Sequence, residues 1–518
     1  MSSDRRKGSP SVLFDSDDDP RGAARAEAPI FFVDLNLDQI IEAVTADWSE
    51  YDLKSFFSFP LNHTGTIEYR HEVFQDLEHP ALFEQAKSFA RRMRDVRVHV
   101  GLANKLHNAF HKEGWFLQAV NIYCDAVKQF AIALTNTQLK SRGFIAFRDY
   151  LRSYAVSAPF VALAAEAKQL AADLSRVKYS VLIRDSSFTV RAEESEVDYS
   201  AEIEETFKKF QQGAVKDYRV KYRYAPEDMN HIEAKILEFV VRLNPDLFSR
   251  LVAYCTRHVN FVDETLAVFD REIHFYVAYL EHIARFKQMG LKFCYPEVSA
   301  GSKSVYAREA FDLALAQRLV AGHEPIVCND FFLQGKERII VVTGPNQGGK
   351  TTFARMFGQL HYLAKLGCPV PAADAQLFLF DQLFTHFERE EKVENLRGKL
   401  EDDLMRVHAI LQQATWRSII VMNEIFTSTT VQDELFLSRS VIEQLNGLEL
   451  LSVWVTFLDE LASFSDKTVS MVSTIVPDNP ALRTFKIVRR PPDGLAYAMA
   501  IAHKYQLTYD RIRERIRP

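Results

Sequence analysis

Cysteine is scarce in this 518-residue chain, and what there is has the wrong spacing for metal or disulfide chemistry. Cys124, Cys255, Cys294, Cys328 and Cys368 lie far apart and form no C-x-x-C pair. That argues against a zinc site and a disulfide framework, and it fits a reducing cytoplasm. Long apolar runs are missing too: none approaches the roughly 20 residues that cross a bilayer, so no membrane partner is expected. The first 29 residues lack the apolar core of a secretory signal. They are rich in Ser, Asp, Arg and Gly and read as a disordered leader. An excess of positive charge is also absent, since 63 basic residues face 69 acidic ones for a net charge of -6. The chain as a whole therefore does not attract nucleic acid, and DNA contact would have to rest on a local basic surface.

Such a length exceeds what one hydrophobic core serves, so two or more domains are expected. Glycine and proline are sparse over residues 31–225, where apolar residues recur at helical spacing, for example over 81–107 and 116–136. One interruption is a hairpin pattern: Tyr179 to Ile183 and Phe188 to Val190 flank Arg184-Asp185-Ser186-Ser187. An acidic run follows, and then Lys208, Lys209, Lys216, Arg219, Lys221 and Arg223 with Tyr218, Tyr222 and Tyr224 interleaved. Residues 205–224 carry six basic and two acidic side chains, which suits phosphate contact and equally suits a solvated strand face. A helix is expected up to Asn244-Pro245. A second one, about 246–288, would be a rigid strut with Phe261, Leu266, Phe269, Ile273, Phe275, Tyr279 and Ile283 on its apolar side. From about residue 291, short apolar runs alternate with helices, the pattern of an α/β domain.

Chemistry concentrates at Gly344-Pro345-Asn346-Gln347-Gly348-Gly349-Lys350-Thr351, a complete G-x-x-x-x-G-K-[ST] loop followed by Thr352. Arg338 to Val342 before it reads as a buried strand. After it Phe353, Met356, Phe357, Leu360, Leu363 and Ala364 read as an amphipathic helix stopped by Gly367. Strand, glycine loop and helix N-terminus together suit a triphosphate: backbone N–H groups close on the phosphates, Lys350 reaches the outer ones, and Thr351 ligates magnesium. ATP and Mg2+ are the expected cofactors. Ile419 to Glu424 is a second buried strand ending in polar groups, with Asn423 placed to hold the metal through water and Glu424 to activate the attacking water. A helix through Leu400, Leu404, Val407 and Leu411 precedes it. The polar loop Thr427-Ser428-Thr429-Thr430 follows, then a helix from Val431 closed by Asn446-Gly447. A third strand spans 450–456, and 469–475 pairs with 484–488 around a Pro-Asp-Asn-Pro turn.

These residues resemble the ATPase domain of the MutS mismatch-repair proteins, of the ABC class. Further matches are Val370-Pro371-Ala372, Asp381-Gln382-Leu383-Phe384-Thr385, and the run from Asp493-Gly494-Leu495 to Ala502. The resemblance covers about residues 290–510. It implies a multidomain chain: a leader over 1–29, an all-α core/lever region over 30–290 with a small β-containing clamp insertion at about 178–225, and an α/β P-loop (ABC-type) ATPase domain over 291–518. It leaves no room for the family's N-terminal mismatch-reading domain. It also implies a homodimer that closes on mismatched or branched duplex DNA, with Lys208, Lys209, Lys216, Arg219, Lys221 and Arg223 as DNA contacts, and a repair-type partner protein.

Departures from the family pattern bear on hydrolysis. Asn423 stands where the family has Asp, and Phe457 where it has a switch His. Gly398, beside Lys399, aligns with the signature serine that reaches the partner's nucleotide. Ile326 aligns with the aromatic that packs on adenine. Phosphate binding should survive these changes, whereas turnover should be slow. A rival reading is an ATP-driven dimerising switch that recruits protein and ignores DNA. His107, His111, His274 and His282 read as core or surface histidines.

Overall fold

The computed structural model describes residues 10–15, 29–184, 187–193, 229–322, 324–388, 398–476, 479–492, 507 and 509–515. Two compact units divide them. One comprises residues 1–10, 79–139 and 144–270, the other 11–78, 140–143 and 271–518.

The first unit is helical. Its long members, Pro80–Ala103 and Ala109–Asn136, pair along their length. Proline at the first turn of one and Asn108 accepting from His111 N in the other fix where each begins. Aromatic rings fill the centre: Phe147 stacks on Phe269 at 3.6 Å and Phe89 on Phe130 at 4.7 Å. Strands β1 (Tyr179–Arg184) and β2 (Ser187–Ala192) form the expected antiparallel hairpin, closed by Arg184 opposite Ser187. Helix His231–Leu243 starts on a capping box in which Asn230 and Glu233 satisfy each other's backbone N–H.

The expected single strut over 246–288 is two helices, Pro245–Arg257 and Glu264–Gln288. The break has a local cause. Asp263 accepts from Leu266 N and from Tyr150 Oη, and its own N–H donates to Tyr123 Oη, so a helix starts there instead of continuing.

The second unit holds two sheets. Strands β3 (Glu297–Ser299), β4 (Val305–Ala310), β5 (Asn329–Leu333) and β7 (Asp374–Phe378) form one in the order β3-β7-β4-β5. The other contains β6 (Ile339–Thr343), β8 (Leu383–Phe387), β9 (Ile419–Asn423), β10 (Leu451–Val455), β11 (Thr468–Val476) and β12 (Asn479–Arg489), in the order β12-β11-β6-β10-β9-β8. All its pairings are parallel except β11 with β12. β6, β9 and β10 are buried along their whole length, as strands covered on both faces must be. On one face Ile339, Ile420 and Trp454 pack with Val407, Ile442 and Leu445 from helices Lys399–Gln413 and Val431–Leu448. The latter helix runs through Asn446-Gly447 and stops at Glu449, which takes the left-handed conformation at φ 57°.

Helix Lys350–Lys365 also departs from expectation. Gln359, His361 and Lys365, on the polar side of the expected amphipathic helix, are buried. The cover comes from the chain's own N-terminal part: Leu35 lies over Gly358, and Tyr362 Oη donates to Phe57 O at 2.8 Å. The described residues of 11–78 thus belong to the α/β unit. Within the segment expected to be a leader, Ser11, Val12 and Leu13 are buried.

Candidate nucleotide site

The site lies at the C-terminal ends of β6 and β9, where a β-α-β sheet presents its loops. β6 ends at Thr343, and the chain turns through Gly344 at φ 115°, Gln347 at φ 59° and Gly349 at φ 89° before entering helix Lys350–Lys365. Positive φ at Gly344 and Gly349 requires glycine at little strain. Gly348 is fixed by space instead, since a Cβ there would sit 2.2 Å from Ser473 Oγ. Ser473, on β11, donates to Gly348 O at 2.7 Å and holds the loop against the sheet.

Lys350 points back over this loop. Its Nζ donates to Gly344 O at 3.0 Å and Pro345 O at 3.2 Å and lies 3.9 Å from Glu424 Oε1. The Phe457 ring covers it, with the centroid 4.1 Å away. Burial lowers the ammonium's pKa to about 8, with Glu424 opposing the shift and Arg483 adding to it. Thr351 Oγ1 donates to Asn423 Oδ1 at 2.7 Å, so the helix's first turn meets the end of β9. Glu424 follows in the left-handed conformation, φ 51°, with its N–H donating to Val455 O at 2.9 Å, and Phe426 repeats the conformation at φ 62°. Two such non-glycine residues cost on the order of 1 to 3 kcal/mol each and are held where the surroundings over-determine them.

Residues 344–352, Asn423 and Glu424 thus come together. Ile326 is half-buried and stands three residues before Asn329, whose Nδ2 donates to Phe485 O beside Gly349. Gly398 is exposed at the start of helix Lys399–Gln413, and Lys399 pairs with Glu388 of the same chain. Lys208, Lys209, Lys216, Arg219, Lys221 and Arg223 lie outside the described residues, as does the 493–502 run. Of the histidines set aside as ligands, His274 and His282 are buried packing groups and His107 is exposed: His274 stacks on Tyr51 at 3.6 Å and burial lowers the pKa of His282 to about 3. Among the described residues no His, Cys, Asp and Glu cluster suits a metal ion.

Four neighbours were not visible in the sequence. Ser473 and Phe485 brace the loop, and Arg483 Nε donates to Asn346 O at 3.0 Å. Glu434 sits close enough to Glu424 to share in its field, and its pKa is raised by burial and then by that carboxylate. No spacing rule links β12 or helix Val431–Leu448 to a loop about 80 to 140 residues earlier. Only the sheet order does.

The family model for MutS domain V matches residues 340–508, which take in β6, the glycine loop and β9. Over that stretch the chain carries a MutS domain V. It is 25% identical over 228 residues to the DNA mismatch repair protein MutS of Chloroflexus aurantiacus, a match covering 43% of this chain and 23% of that one. Against MutS of Chlorobaculum tepidum it is 27% identical over 290 residues, 54% of this chain and 32% of the relative. MutS of Orientia tsutsugamushi, strain Ikeda, is 31% identical over 150 residues, 29% and 17% of the two chains. The chain thus matches less than a third of the length of these MutS relatives. No helix among the described residues is long and apolar enough to cross a membrane.

Proposed function

We propose that this protein is an ATP-binding, dimerising switch of ABC type, with residues 291–518 as the ATPase domain. Residues 30–290 would serve as the core and lever, with a clamp at about 178–225 that closes on mismatched, branched or otherwise distorted DNA. One observation carries the reading: Lys350, Thr351, Asn423 and Glu424 converge beside a glycine loop whose Gly348 leaves no room for a Cβ.

The residues fit the implied cofactors. Backbone N–H groups of 346–351 and the Lys350 ammonium are donors for a polyphosphate at a helix N-terminus. The Thr351 hydroxyl and Asn423 carbonyl supply the oxygen donors that a hard cation prefers. Bound magnesium would neutralise phosphate charge and hold the outer phosphates in place. Glu424 is placed to orient and deprotonate water. Its carboxylate lies 3.9 Å from Lys350 Nζ, and a phosphate that draws Lys350 away frees it. Asn423 contributes no charge beside the cation, and Phe457 offers no ring nitrogen to the outer phosphate, so hydrolysis is slow. Slow hydrolysis suits a protein whose ligand selects a conformation, because ATP shifts the arms only by its differential affinity for the closed dimer.

The test is an ATP titration followed by light-scattering mass, run beside Glu424→Gln, with DNA affinity measured with and without ATP at low salt. ATP should produce a dimer that persists longer in the variant and binds a junction or mismatched duplex more tightly than plain duplex. Failure to bind ATP ends the proposal. ATP-driven dimerisation without affinity for any DNA would leave the protein-recruiting switch as the reading.

A further inference from the structure

Ser11, Val12 and Leu13 are at most 6% exposed, yet belong to no helix or strand. Buried main chain of that kind must find its hydrogen bonds elsewhere, and here side chains of two helices supply them. Ser11 O accepts from Tyr69 Oη, Val12 O from Tyr276 Oη at 2.5 Å, and Leu13 O from Arg70 Nε at 3.0 Å. On the donor side, one carboxylate oxygen of Glu272 accepts from Ser11 Oγ at 2.7 Å, Val12 N at 2.9 Å and Leu13 N at 3.3 Å. Val12 and Leu13 are fully buried, and Phe14 meets Phe56 edge-on under the Arg70 guanidinium. The segment bends at Val12 and Leu13, and Ser11 Oγ accepts from Leu13 N at 3.2 Å and Phe14 N at 3.0 Å, so the slot holds a serine-capped turn.

Two features set this slot apart from ordinary core packing. Glu272, Arg70 and Tyr276 are 2%, 0% and 0% exposed, so an empty slot would leave a buried carboxylate and guanidinium without these partners, a costly state. An occupant of matching backbone is therefore required. The second feature is the reach of Arg70, whose Nη1 donates to Leu366 O at 2.7 Å, at the C-terminal cap of helix Lys350–Lys365. Its side chain lies against Gly367, at φ 71°, where a Cβ would come within 2.9 Å of Arg70 Cβ. One guanidinium thus bonds both to Leu13 and to the end of the phosphate-loop helix.

We propose that Tyr69, Arg70, Glu272 and Tyr276 form a recognition slot for a Ser-Val-Leu-Phe turn. Residues 11–14 of this chain fill it as a separable clasp, and release of the clasp is felt through Arg70 at Leu366 to Cys368. The inference does not depend on nucleotide binding.

Hydrogen exchange on the full wild-type chain tests separability. Val12 and Leu13 amides should exchange by local opening, at least tenfold faster than Tyr276 to Leu280 amides in the helix beneath. Exchange of both sets at one common rate would make the segment ordinary core and overturn the proposal. The full-length Leu13→Asp variant empties the slot. A blocked, labelled peptide Pro-Ser-Val-Leu-Phe-Asp should bind it, should fail to bind the wild type, and should bind at least tenfold more weakly when Glu272→Gln is added. Gly367 and Cys368 amides should exchange faster in Leu13→Asp and recover with peptide. A variant of native helical content that takes no peptide, or whose 367 and 368 amides do not respond to the empty slot, refutes the slot or the Arg70 link respectively. If that variant does not fold, the wild-type exchange pattern decides.

Discussion

Thr351 Oγ1 donates to Asn423 Oδ1 across 2.7 Å, joining the first turn of the phosphate-loop helix to the end of β9. A carboxylate accepts the same bond, so Asn423→Asp should fold as the wild type does while adding one negative charge where the cation is expected. Magnesium should then bind more tightly, and ATP turnover should rise about tenfold, equivalent to about 1.4 kcal/mol of transition-state stabilisation. Phosphate release measured across a magnesium titration checks this. An unchanged rate would mean that the neutral side chain is not what limits hydrolysis.

Lys350 gives a pH signature. Its pKa is lowered from 10.5 to about 8, chiefly by burial. Between those values the unfolded chain binds more protons than the folded one, so this group's contribution to stability rises with pH through that window. A polyphosphate favours the ammonium, so binding near pH 9 takes up nearly one proton and affinity falls above about pH 8. Calorimetry in two buffers of different ionisation heat should show that uptake near pH 9 and almost none near pH 7. Lys350→Met should abolish it. Equal uptake at both pH values would contradict the assignment.

Much of this site could be read before any fold was known, because its parts are local. Gly344 to Thr351 needs only a preceding strand and a following helix, and both apolar patterns are continuous in the sequence. The buried run 419–423 carried its own polar ending in the same way. What escaped notice depends on partners distant in sequence. Helix Lys350–Lys365 reads as amphipathic because Gln359, His361 and Lys365 are polar, yet each is buried and bonded to backbone: Leu35 O, Phe357 O and Phe380 O respectively. The Asp263 break was hidden because aromatic spacing carries on across it. Ser11 to Leu13 carry no such signal, because a short apolar step inside a polar tract has no periodicity.

Gly348 offers a steric test. An added Cβ would meet Ser473 Oγ at 2.2 Å and Pro345 O at 3.0 Å. Gly348→Ala should therefore displace the loop, cost about 1 to 3 kcal/mol of stability and weaken ATP binding by about two orders of magnitude. Adding Ser473→Ala removes the nearer atom but leaves Pro345 O and the Cβ of residue 473, so recovery should be partial. Thermal unfolding and nucleotide titration of the two variants distinguish this from a simple loss of flexibility, which the second substitution would not relieve.

Gln359 joins the N-terminal segment to the α/β unit from a position that is 0% exposed. Its Nε2 donates to Leu35 O at 2.9 Å and Asp312 Oδ1 at 2.8 Å, and its Oε1 accepts from Leu313 N at 2.9 Å. The Asp312 carboxyl is pushed up by burial and held back by bonds from Leu315 N and Gln359. Gln359→Leu keeps the volume but removes the partner of Leu35 O and Leu313 N, while Asp312 Oδ1 keeps Leu315 N, so urea unfolding should show a loss of about 3 kcal/mol. Gln359→Glu should behave differently. Its oxygen can still accept from Leu313 N, but two carboxyls then face each other in a dry site, and one must hold a proton. That raises a folded-state pKa above its unfolded value, so the variant's stability is retained in acid and lost as pH rises through the shifted value. The gap between Gln359→Glu and wild type should widen from about pH 5 to about pH 8, and more steeply than the gap for Gln359→Leu, which loses only one bond that holds the Asp312 carboxyl down. Parallel pH profiles for the two variants would show that Asp312 does not bear the charge.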